Sequence, residues 1–394
     1  MPVLRSVQNY GILPRLQHVI WVQRSMRKNI LIFGHNDATQ FIDIYNQYTK
    51  LFDPSRYKVT VAYLTGEPNE AVRERTLAEE VLFFNFSKSS IRTLKLKPIA
   101  KLLNLTRKNH YDMVICHRYK PSYIMMWVAQ FIKIPTLIFV MHELGTMSAR
   151  GRQWLVTLLW RRNMWFAGVS NAVRDDLQND LRCVAKDKIV TLYNTIDVEL
   201  TEKALYTRDE ARGALKVSND IILFGTLARL VPNKDLATLI EAFASIKPNY
   251  PNAKLIILGD GILETQLKSE VSKLHLEQEI IFTGFIANGF RYMKAFDCFT
   301  LSSIQEAFGR VLIEAMIAKL PILATRVNGI PEVMGDTGWV VPAKAPPSFA
   351  KAMLDVLSLT PKQREVMGEN AYQRAVKHFS IPAFKQQFWQ VFGK

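Results

Sequence analysis

Two glutamates flank a glycine in residues 302–333, SSIQEAFGRVLIEAMIAKLPILATRVNGIPEV. The pattern predicts that a strand ends before Glu306, that Gly309 lies in a turn, and that a helix containing Glu314 follows. Backbone N–H groups at the start of that helix would lack partners, and such a terminus binds phosphate or a polarised hydroxyl. Carboxylates accept hydrogen bonds from pairs of sugar hydroxyls, so the segment predicts a site for a sugar or a phosphate. The alternative is that Glu306 only balances the helix dipole and that Glu314 is solvated.

Two cations follow another predicted strand in the same half of the chain. Arg229 and Lys234, in FGTLARLVPNKDLATLIEAF, flank a turn between the strand at 221–228 and the next helix. Paired cations in such a turn can hold a diphosphate leaving group and neutralise the charge that grows on it. The alternative is a pair of ordinary solvated loop charges.

The elements that must position these residues follow from the apolar runs. Nearly continuous apolar stretches indicate strands covered on both faces, and the amphipathic stretches between them indicate helices. Strands alternating with helices predict parallel sheets, whose ligands bind at the carboxyl ends of the strands. The first half has such runs at 29–34, 58–64, 81–86, 112–116, 136–141, 166–170 and 189–197, and the second half at 221–228, 253–261, 279–285, 296–303, 320–325 and 338–342.

We therefore expect an α/β protein with two doubly wound, Rossmann-like domains that face each other across a cleft. A chain of 394 residues exceeds the roughly 250–300 residues at which single cores stop growing. Met26, just before the first predicted strand, is an alternative start of the chain. The predicted boundaries are an extension of undefined structure at 1–28, an N-terminal domain at 29–200, a C-terminal domain at 201–376, and a final helix at 377–394 that packs back towards the N-terminal domain through Phe384, Phe388 and Phe392.

The composition limits the class of protein. With 48% hydrophobic and 22% charged residues, the chain has enough apolar side chains for two cores and no signature of disorder. Its three cysteines are far apart, without the close pairs that bind zinc, so we expect no metal site and a reducing, cytoplasmic compartment. No apolar run reaches the roughly 20 residues of a membrane-spanning helix, so any membrane contact would be peripheral.

The formal net charge of +16 is concentrated in the first half. Residues 1–200 contain 28 Lys and Arg against 16 Asp and Glu, a net of +12, whereas the remainder has 23 against 19, a net of +4. Seven basic residues from Lys88 to Lys108 have no acid among them, and residues 152–165 mix three tryptophans with three arginines. Such segments are typical of a surface at lipid headgroups, although a solvated basic face and a buried aromatic helix fit the same residues.

The segments ARLVPNKD, GDG, GF, EAFGRVLIEAMIAKLPILAT and NGIPEV, in this order and spacing, resemble the C-terminal domain of glycosyltransferase family 4. That family contains retaining enzymes with the GT-B fold, and the match runs from about residue 221 to 342. The resemblance implies that Arg229 and Lys234 bind the diphosphate of a nucleotide-sugar donor. It implies that Glu306 holds the donor sugar and Glu314 the ribose. The other donor contacts it implies are Gly259, Phe285, Ile286, Ala307, Phe308, Gly309 and Arg310, with Phe285 and Ile286 at the nucleobase.

The first half resembles the family in fewer places. His142 stands where the family has an active-site histidine near the reacting sugar, so it joins Glu306, Arg229 and Lys234 as a catalytic candidate. Ser170-Asn171-Ala172 resembles the family's S-x-A segment, whereas Thr195 replaces a glycine of the family's next motif. The loop after the first strand departs from the usual glycine-rich sequence, and its candidate substrate contacts are Gly34, His35 and Asn36.

The resemblance implies a hexosyltransferase that moves a sugar from a nucleotide diphosphate to a glycan or lipid-linked acceptor, which would bind the N-terminal domain. UDP-sugars are the favoured donors and GDP-sugars the second choice. It implies retention at the anomeric carbon, because the leaving phosphate takes the acceptor proton, and no tightly bound cofactor. No D-x-D motif occurs, so a catalytic metal is not expected. The basic first half suggests lipopolysaccharide or cell-surface polysaccharide synthesis at the cytoplasmic face of a bacterial inner membrane.

Other functions fit the same architecture. A sugar phosphorylase, a nucleotide-sugar epimerase and a non-enzymatic binding protein are the alternatives. The intact set of Glu306, Glu314, Arg229 and Lys234 argues against a degenerate fold. No recognisable nucleic-acid-binding module occurs, so nucleic acid is not an expected partner.

Overall fold

The computed structural model describes residues 27–87, 89–92 and 95–393. The predicted extension, with Met26 as an alternative start, lies outside the described residues except for Arg27 and Lys28.

A seven-stranded sheet is built from the first half of the chain. Its strands are β1 Lys28–Gly34, β2 Tyr57–Tyr63, β3 Glu80–Phe83, β4 Met113–His117, β5 Thr136–Met141, β6 Met164–Gly168 and β7 Ile189–Thr191. Their spatial order is β3-β2-β1-β4-β5-β6-β7, and β1 pairs in parallel with both β2 and β4. The side chains of Ile30 to Phe33 are at most 1% exposed, as expected for a strand covered on both faces. Its helices are α1 Thr39–Thr49, α2 Glu70–Arg75, α3 Leu96–Asn109, α4 Tyr119–Val128, α5 Arg150–Leu159 and α6 Asn171–Asp180.

A six-stranded parallel sheet is built from the second half. Its strands are β8 Ile222–Leu227, β9 Ala253–Leu258, β10 Ile280–Gly284, β11 Cys298–Leu301, β12 Ile322–Thr325 and β13 Trp339–Val341, in the order β10-β9-β8-β11-β12-β13. Its helices are α7 Val198–Ala204, α8 Arg208–Leu215, α9 Leu236–Ile246, α10 Glu264–Lys273, α11 Arg310–Ile317, α12 Ile330–Met334, α13 Pro346–Leu357, α14 Pro361–Phe379 and α15 Ile381–Phe392. Short 3₁₀ helices lie before β7 at Lys186–Lys188 and, in the second half, at Pro232–Lys234, Lys247–Asn249 and Gly289–Ala295. Apolar residues of α9 and α13 pack with β9 in one buried cluster.

The carboxyl-terminal segment differs from the single helix that its sequence predicts. α14 ends at Phe379, and Ser380 has an extended backbone with φ −77° and ψ 163°. The Ser380 hydroxyl then accepts from the Ala383 N–H at the start of α15, and Pro382 fits the first turn of that helix. A serine cap followed by proline therefore divides the segment into two helices. The predicted apolar stripe does pack: Phe384 and Phe388 are buried.

β7 is shorter than the predicted run at 189–197. After Thr191 the chain leaves the sheet, and Ile196 forms an isolated bridge with Ser380 at the junction of α14 and α15. The Ile196 N–H donates to the Phe379 carbonyl at 2.9 Å. Pairing with a remote part of the chain thus replaces continuation of the strand.

The described chain separates into two compact units that do not coincide with the two sheets. The first unit extends to Phe139 and takes in Arg161–Met164, and the second contains Val140–Trp160 and the residues from Trp165 onward. β7 and the residues of β6 from Trp165 onward therefore belong to the second unit, and Met164 of β6 belongs to the first. Within the second unit, β6 contacts α15, since the centre of the Trp165 ring lies 5.2 Å from that of the Phe392 ring.

Glu332 fastens α6 to α12 within the second unit. Its two carboxylate oxygens accept from the N–H groups of Asn171 at 2.9 Å and Ala172 at 3.1 Å, at the start of α6. A carboxylate at this end also interacts favourably with the helix dipole. Burial, and then the nearby Glu332, raise the pKa of Tyr193 to about 12, so its hydroxyl stays protonated and accepts from the Asn171 side chain.

Replacing Glu332 with alanine should destabilise the second unit, because two N–H groups at the start of α6 lose their partner. We expect a loss of about 1–3 kcal/mol in the free energy of unfolding. Thermal and denaturant unfolding followed by circular dichroism measure it. Glu332→Gln, which keeps one acceptor oxygen, should lose less. Glu365→Ala, at an exposed ion pair with Lys362, is the matched control and should change stability by no more than about 0.5 kcal/mol. Equal loss in Glu332→Ala and Glu365→Ala would contradict this account.

Candidate functional site

The loops after β8 and β11 meet at the carboxyl edge of the second sheet. The strand order places β8 directly beside β11, although two strands separate them along the chain. The winding direction reverses between these strands, and ligands of open α/β sheets bind at that switch point. Lys234 follows β8 and Glu306 follows β11, so the topology alone brings these two predicted residues together.

Lys234 and Glu306 form an ion pair between Nζ and Oε2, with side chains that are only 15% and 17% exposed. The Ser303 hydroxyl lies 3.4 Å from the same carboxylate oxygen. Solvent screens such a shielded pair less than a surface pair. The predicted diphosphate-binding cation and the predicted sugar-binding carboxylate are thus direct partners in this structure.

Backbone contacts fix the two loops against each other. The Ser302 hydroxyl donates to the Lys234 carbonyl at 2.9 Å, and the Ile304 N–H donates to the Asn233 carbonyl at 2.9 Å. These bonds join the last residues of one loop to the first residues of the other. The ion pair is consequently held by main chain as well as by its own attraction.

A third loop holds the backbone of Glu306 on both sides. The Glu306 N–H donates to the Asn328 side-chain oxygen at 3.2 Å, and the Glu306 carbonyl accepts from the Gly329 N–H at 3.1 Å. A Cβ added at Gly329 would lie 2.4 Å from the Ala307 carbonyl oxygen, closer than real Cβ atoms approach. Glycine at 329 therefore permits the contact that holds the glutamate loop.

The turn before α11 has the geometry that the sequence predicts. Gly309 has φ +87°, a left-handed conformation that favours glycine, and no side chain caps the first turn of α11. Nε of Arg310 is buried without a hydrogen-bond partner, and Glu314 is half-buried one turn further along the helix. Open helix amides beside a buried cationic group can receive a phosphate or a sugar oxygen.

Phe308 belongs to the core rather than to a ligand surface. Its side chain is 2% exposed, and its ring packs edge-on against Phe379, 5.5 Å away. The Phe308 ring also contacts the Tyr193 ring, with 6.1 Å between the ring centres. Only the backbone of Phe308 can therefore face a ligand, and the side chain anchors the turn.

Arg229 is not part of the ion pair. It lies in the turn between β8 and the 3₁₀ helix Pro232–Lys234, and its side chain is exposed. The structure thus brings Lys234 and Glu306 together and leaves Arg229 at the solvent-facing side of the same loop.

Gly259 follows β9, where two loops approach closely. A Cβ added to Gly259 would lie 2.0 Å from the Ala228 carbonyl oxygen, and one added to Gly261 would lie 2.4 Å from that of Leu230. Both glycines also have positive φ, +145° and +158°. Close packing is a sufficient reason for glycine at both positions, independent of any donor contact.

Exposed apolar side chains lie beyond these glycines. Gly259 and Gly284 form an isolated antiparallel bridge, so the loops after β9 and β10 leave the sheet edge together. Phe285 is 73% exposed and Ile286 is half-buried. Ile262 is 83% exposed and was missed by the sequence argument, although a large apolar residue directly after a glycine turn is a recognisable signal. Exposed apolar surface of this kind can stack against a nucleobase.

The remaining predicted residues lie on the first sheet. His142 directly follows β5 and is half-buried. Gly34 ends β1, and His35 and Asn36 follow it. A Cβ at Gly34 would lie 2.4–2.6 Å from atoms of the Tyr45 side chain. Burial, and then the charges of Lys120 and Arg118, lower the pKa of His35 to about 4, so this imidazole is neutral near pH 7. The functional roles of all these residues stay predictions.

Within residues 27–87, 89–92 and 95–393, no group of three or more His, Cys, Asp and Glu side chains is arranged to hold a metal ion.

Two family models match most of the chain. The model described as Glycosyl transferases group 1 matches residues 207–374, and the model described as Glycosyltransferase Family 4 matches residues 49–200. The chain belongs to glycosyltransferase family 4. The family predicted from the motifs at 229–333 is therefore confirmed, and the protein is a glycosyltransferase.

Known relatives of this family 4 member have names that mention different molecules. N-acetyl-alpha-D-glucosaminyl L-malate synthase of Bacillus anthracis is 28% identical over 74% of this chain and 77% of that protein. An N-acetylgalactosaminyltransferase of Campylobacter jejuni, named for a diphospho-undecaprenol acceptor, is 28% identical over 65% of this chain and 71% of that protein. The solved structure of Anabaena HepE with UDP matches with a TM-score of 0.76 and 20% identity, covering 93% of this chain and 99% of that one. The predicted GT-B fold is confirmed.

Gly259→Ala should destabilise the second unit even without a ligand, because the new Cβ collides with the Ala228 carbonyl at a positive φ. We expect a loss of at least about 1–3 kcal/mol in the free energy of unfolding, measured by denaturant unfolding. Gly213→Ala is the matched control. Its added Cβ, on α8, would have no atom within 4 Å, so that variant should gain about 0.5–1 kcal/mol. Unchanged stability in Gly259→Ala, with weaker nucleotide binding, would instead assign the glycine to the donor.

Proposed function

We propose that this glycosyltransferase transfers a sugar from a nucleotide-diphosphate donor, with UDP-sugars favoured, to a glycan or lipid-linked acceptor. The observation that carries the proposal is the Lys234–Glu306 ion pair at the switch point of the second sheet, beside the uncapped start of α11. A shielded cation and a carboxylate side by side suit a ligand that combines phosphate with sugar hydroxyls.

Lys234 and Glu306 can each form further hydrogen bonds besides the one that joins them. The ammonium of Lys234 carries three N–H donors, and the carboxylate of Glu306 has two acceptor oxygens. One N–H directed at Glu306 leaves the others for phosphoryl oxygens, while the second carboxylate oxygen can accept from sugar hydroxyls. The pair therefore need not separate completely when the donor binds.

The chemical work assigned to the site is electrostatic. Negative charge grows on the diphosphate as the sugar leaves, and we assign its stabilisation to Lys234, the α11 amides and Arg310. We include retention of configuration in the proposal, with the leaving phosphate accepting the proton of the acceptor hydroxyl. This agrees with the retaining members that the motifs resemble. It needs no covalent nucleophile from the protein.

Relatives and neighbours support the substrate classes. HepE of Anabaena was solved with UDP, which supports a uridine nucleotide as the first donor to test. The name of the Campylobacter relative includes a lipid-linked diphosphate acceptor. These names support the proposal without fixing the sugar or the acceptor of this chain.

One face of α5 supports contact with a membrane surface. Arg150, Trp154 and Leu158 recur every four residues and share a helical face. Trp154 is 66% and Leu158 is 56% exposed, whereas Trp165 packs against Phe392. The exposure of Trp154 favours the interpretation as a surface at lipid headgroups. The packing of Trp165 favours the interpretation as a buried aromatic. None of the helices in the described part of the chain has the length and apolarity needed to cross a bilayer.

Lys234→Met and Glu306→Gln should each lower the rate of donor turnover by about 100-fold to 1000-fold, as loss of a transition-state contact does. The assay follows release of the nucleoside diphosphate from a panel of UDP- and GDP-sugars, with and without EDTA. Because Lys234 supplies positive charge at the diphosphate, turnover should continue in EDTA. Lys268→Met, at an exposed helical ion pair, is the matched control and should turn over normally. Normal turnover in Lys234→Met and Glu306→Gln would refute the site.

Product analysis separates the alternative functions. Consumption of phosphate with release of a sugar phosphate would indicate a phosphorylase, and a free epimer without acceptor would indicate an epimerase. Calorimetry that finds oligonucleotide binding and no nucleotide binding would favour a binding protein. Retention is checked by the anomeric proton coupling of the transferred sugar.

Trp154→Ala/Leu158→Ala should reduce binding to anionic vesicles, because two exposed apolar side chains no longer enter the headgroup boundary. Each is worth about 1.5–3 kcal/mol when buried, so the partition coefficient should fall at least about 10-fold. Co-sedimentation with phosphatidylglycerol vesicles at low salt measures this. Leu77→Ala, at a residue that is 47% exposed and is not part of α5, is the control. If the wild-type protein ignores these vesicles, the membrane hypothesis is wrong.

A further inference from the structure

The first sheet has a switch point of its own, lined with cations. β1 lies between β2 and β4, so the winding direction reverses between β1 and β4. These two strands pair in register up to Phe33 and Cys116. Just beyond them, the chain continues into His35 and Asn36 on one side and into Arg118 on the other. Such a crevice is the usual ligand position in an open α/β sheet.

Four nitrogen-bearing side chains make up what we name the β1–β4 cluster: His35, Arg92, Arg118 and Lys120. Arg118 precedes the first residue of α4, and Lys120 lies in its first turn. Both are half-buried, as is His35, whereas Arg92 is exposed. The guanidinium of Arg118 lies 4.8 Å from the centre of the Phe41 ring, which holds it at the strand end.

The charges acting within the cluster all have the same sign. Burial, and then Lys120 and Arg118, lower the pKa of His35 to about 4. Burial, and then Arg92 and Arg118, lower the pKa of Lys120. Cations this close repel one another, and an anion among them would remove that repulsion.

The nearest acid along the chain faces elsewhere. Asp37 follows Asn36, but its carboxylate lies against Gly66, where an added Cβ would be 2.6 Å from it. The Asp37 charge also contributes to raising the pKa of Tyr63, on β2. The Asp37 carboxylate therefore lies on the side of β1 that faces β2, and β4 is on the other side.

Two polar atoms beside the cations lack hydrogen-bond partners. Nδ1 of His35 and Oδ1 of Asn36 are buried and unpartnered. The backbone of His35 is fixed, since its N–H donates to the Tyr45 hydroxyl at 3.2 Å and its carbonyl accepts from the Thr65 N–H at 3.0 Å. Buried polar atoms in native proteins usually have a partner, so these point to a group that is not part of the chain. Nδ1 of a neutral imidazole can donate to an oxyanion, whereas Oδ1 of Asn36 can accept from a hydroxyl of the same ligand.

We propose that the β1–β4 cluster binds a phosphoryl group, phosphate or diphosphate, carried by the acceptor. Arg118 and Lys120 supply the charge, and His35 supplies a neutral donor. The N–H groups of Tyr119 and Lys120, at the start of α4, which no side chain caps, add backbone donors. Assigning the anion to the acceptor rests on the sugar transfer proposed above, whereas the anion site itself does not. A water-soluble phosphate ester and a lipid-linked diphosphate share this chemistry.

Pyrophosphate binding to the full chain tests the site directly. Calorimetry is performed with the donor site filled by saturating UDP, so that only a second anion site responds. The wild-type protein should bind pyrophosphate, and Arg118→Gln/Lys120→Gln should bind it at least about 10-fold more weakly. Lys97→Gln/Lys101→Gln, at two exposed lysines of α3, is the matched control and should bind as the wild type does. Lys120→Gln alone replaces the double variant if circular dichroism finds that the latter is unfolded.

Several results would overturn the proposal. They are no pyrophosphate binding by the wild type, equal binding by the Arg118→Gln/Lys120→Gln variant, equal loss in the lysine control, and complete displacement of pyrophosphate by UDP. The last result would identify the anion as the donor's own diphosphate.

A vesicle-binding experiment distinguishes a lipid-linked diphosphate from a water-soluble phosphate ester as the source of the phosphoryl group. Neutral phosphatidylcholine vesicles with a polyprenyl diphosphate are compared with the same vesicles without it. A lipid-linked acceptor is supported if the wild type binds only the vesicles that contain the polyprenyl diphosphate and the Arg118→Gln/Lys120→Gln variant binds neither kind. Pyrophosphate binding without any vesicle difference supports a water-soluble phosphate ester.

Donor hydrolysis without acceptor is measured in parallel. The Arg118→Gln/Lys120→Gln variant should hydrolyse the donor as the wild type does while its transfer to a phosphorylated acceptor shows a KM raised about 10-fold or more. If the wild type turns over no nucleotide sugar at all, the proposed function fails, and the pyrophosphate measurement still decides whether the anion site exists.

Discussion

Lys234 and Glu306 form an ion pair that is largely shielded from solvent at the carboxyl edge of the second sheet. Removing either would leave a shielded, unpaired charge, which is far more costly than losing both. Three loops are organised around this pair, through Ser302 to the Lys234 carbonyl, through Ile304 to Asn233, and through Asn328 and Gly329 to the Glu306 backbone. The arrangement of the second sheet's carboxyl edge therefore depends on one ion pair and on the main-chain bonds that hold its two loops.

The strand pattern was predictable because its cause is local. Every apolar run identified in the sequence overlaps one of the strands β1 to β13 in the described part of the chain. Strands of a parallel sheet are buried on both faces, so their side chains must be apolar almost without interruption. The glycine turn at 309 and the helix after it were predictable for a similar reason, since a positive φ and a helix start both constrain the residue type. The resemblance assigned both Lys234 and Glu306 to the donor, but their adjacency became visible only with the strand order of the structure.

Features that depend on remote pairing were not predictable. Glu332 accepts from α6, which lies 161 residues earlier in the chain, and nothing around Glu332 in the sequence specifies that partner. β7 ends early because Ile196 pairs with Ser380, and the two compact units divide the first sheet rather than separating the sheets. Ile262 and the exposed face of α5 could have been found from local residues, but their exposure is decided by what packs nearby. The β1–β4 cluster combines loops whose closeness follows only from strand order.

The anchoring of Phe308 has a consequence for attempts to redesign this enzyme. Its backbone belongs to the turn that presents Gly309, while its ring is held by Phe379 at the end of α14 and by Tyr193 after β7. The rings of Phe379 and Tyr193 thus fix the position of the turn that is proposed to face the donor. A directed-evolution library confined to the loops around the ion pair would omit these supporting rings. Adding positions 193 and 379 would let the selection change the position of the turn before α11. Lys234 and Glu306, the proposed donor-binding pair, would stay unchanged.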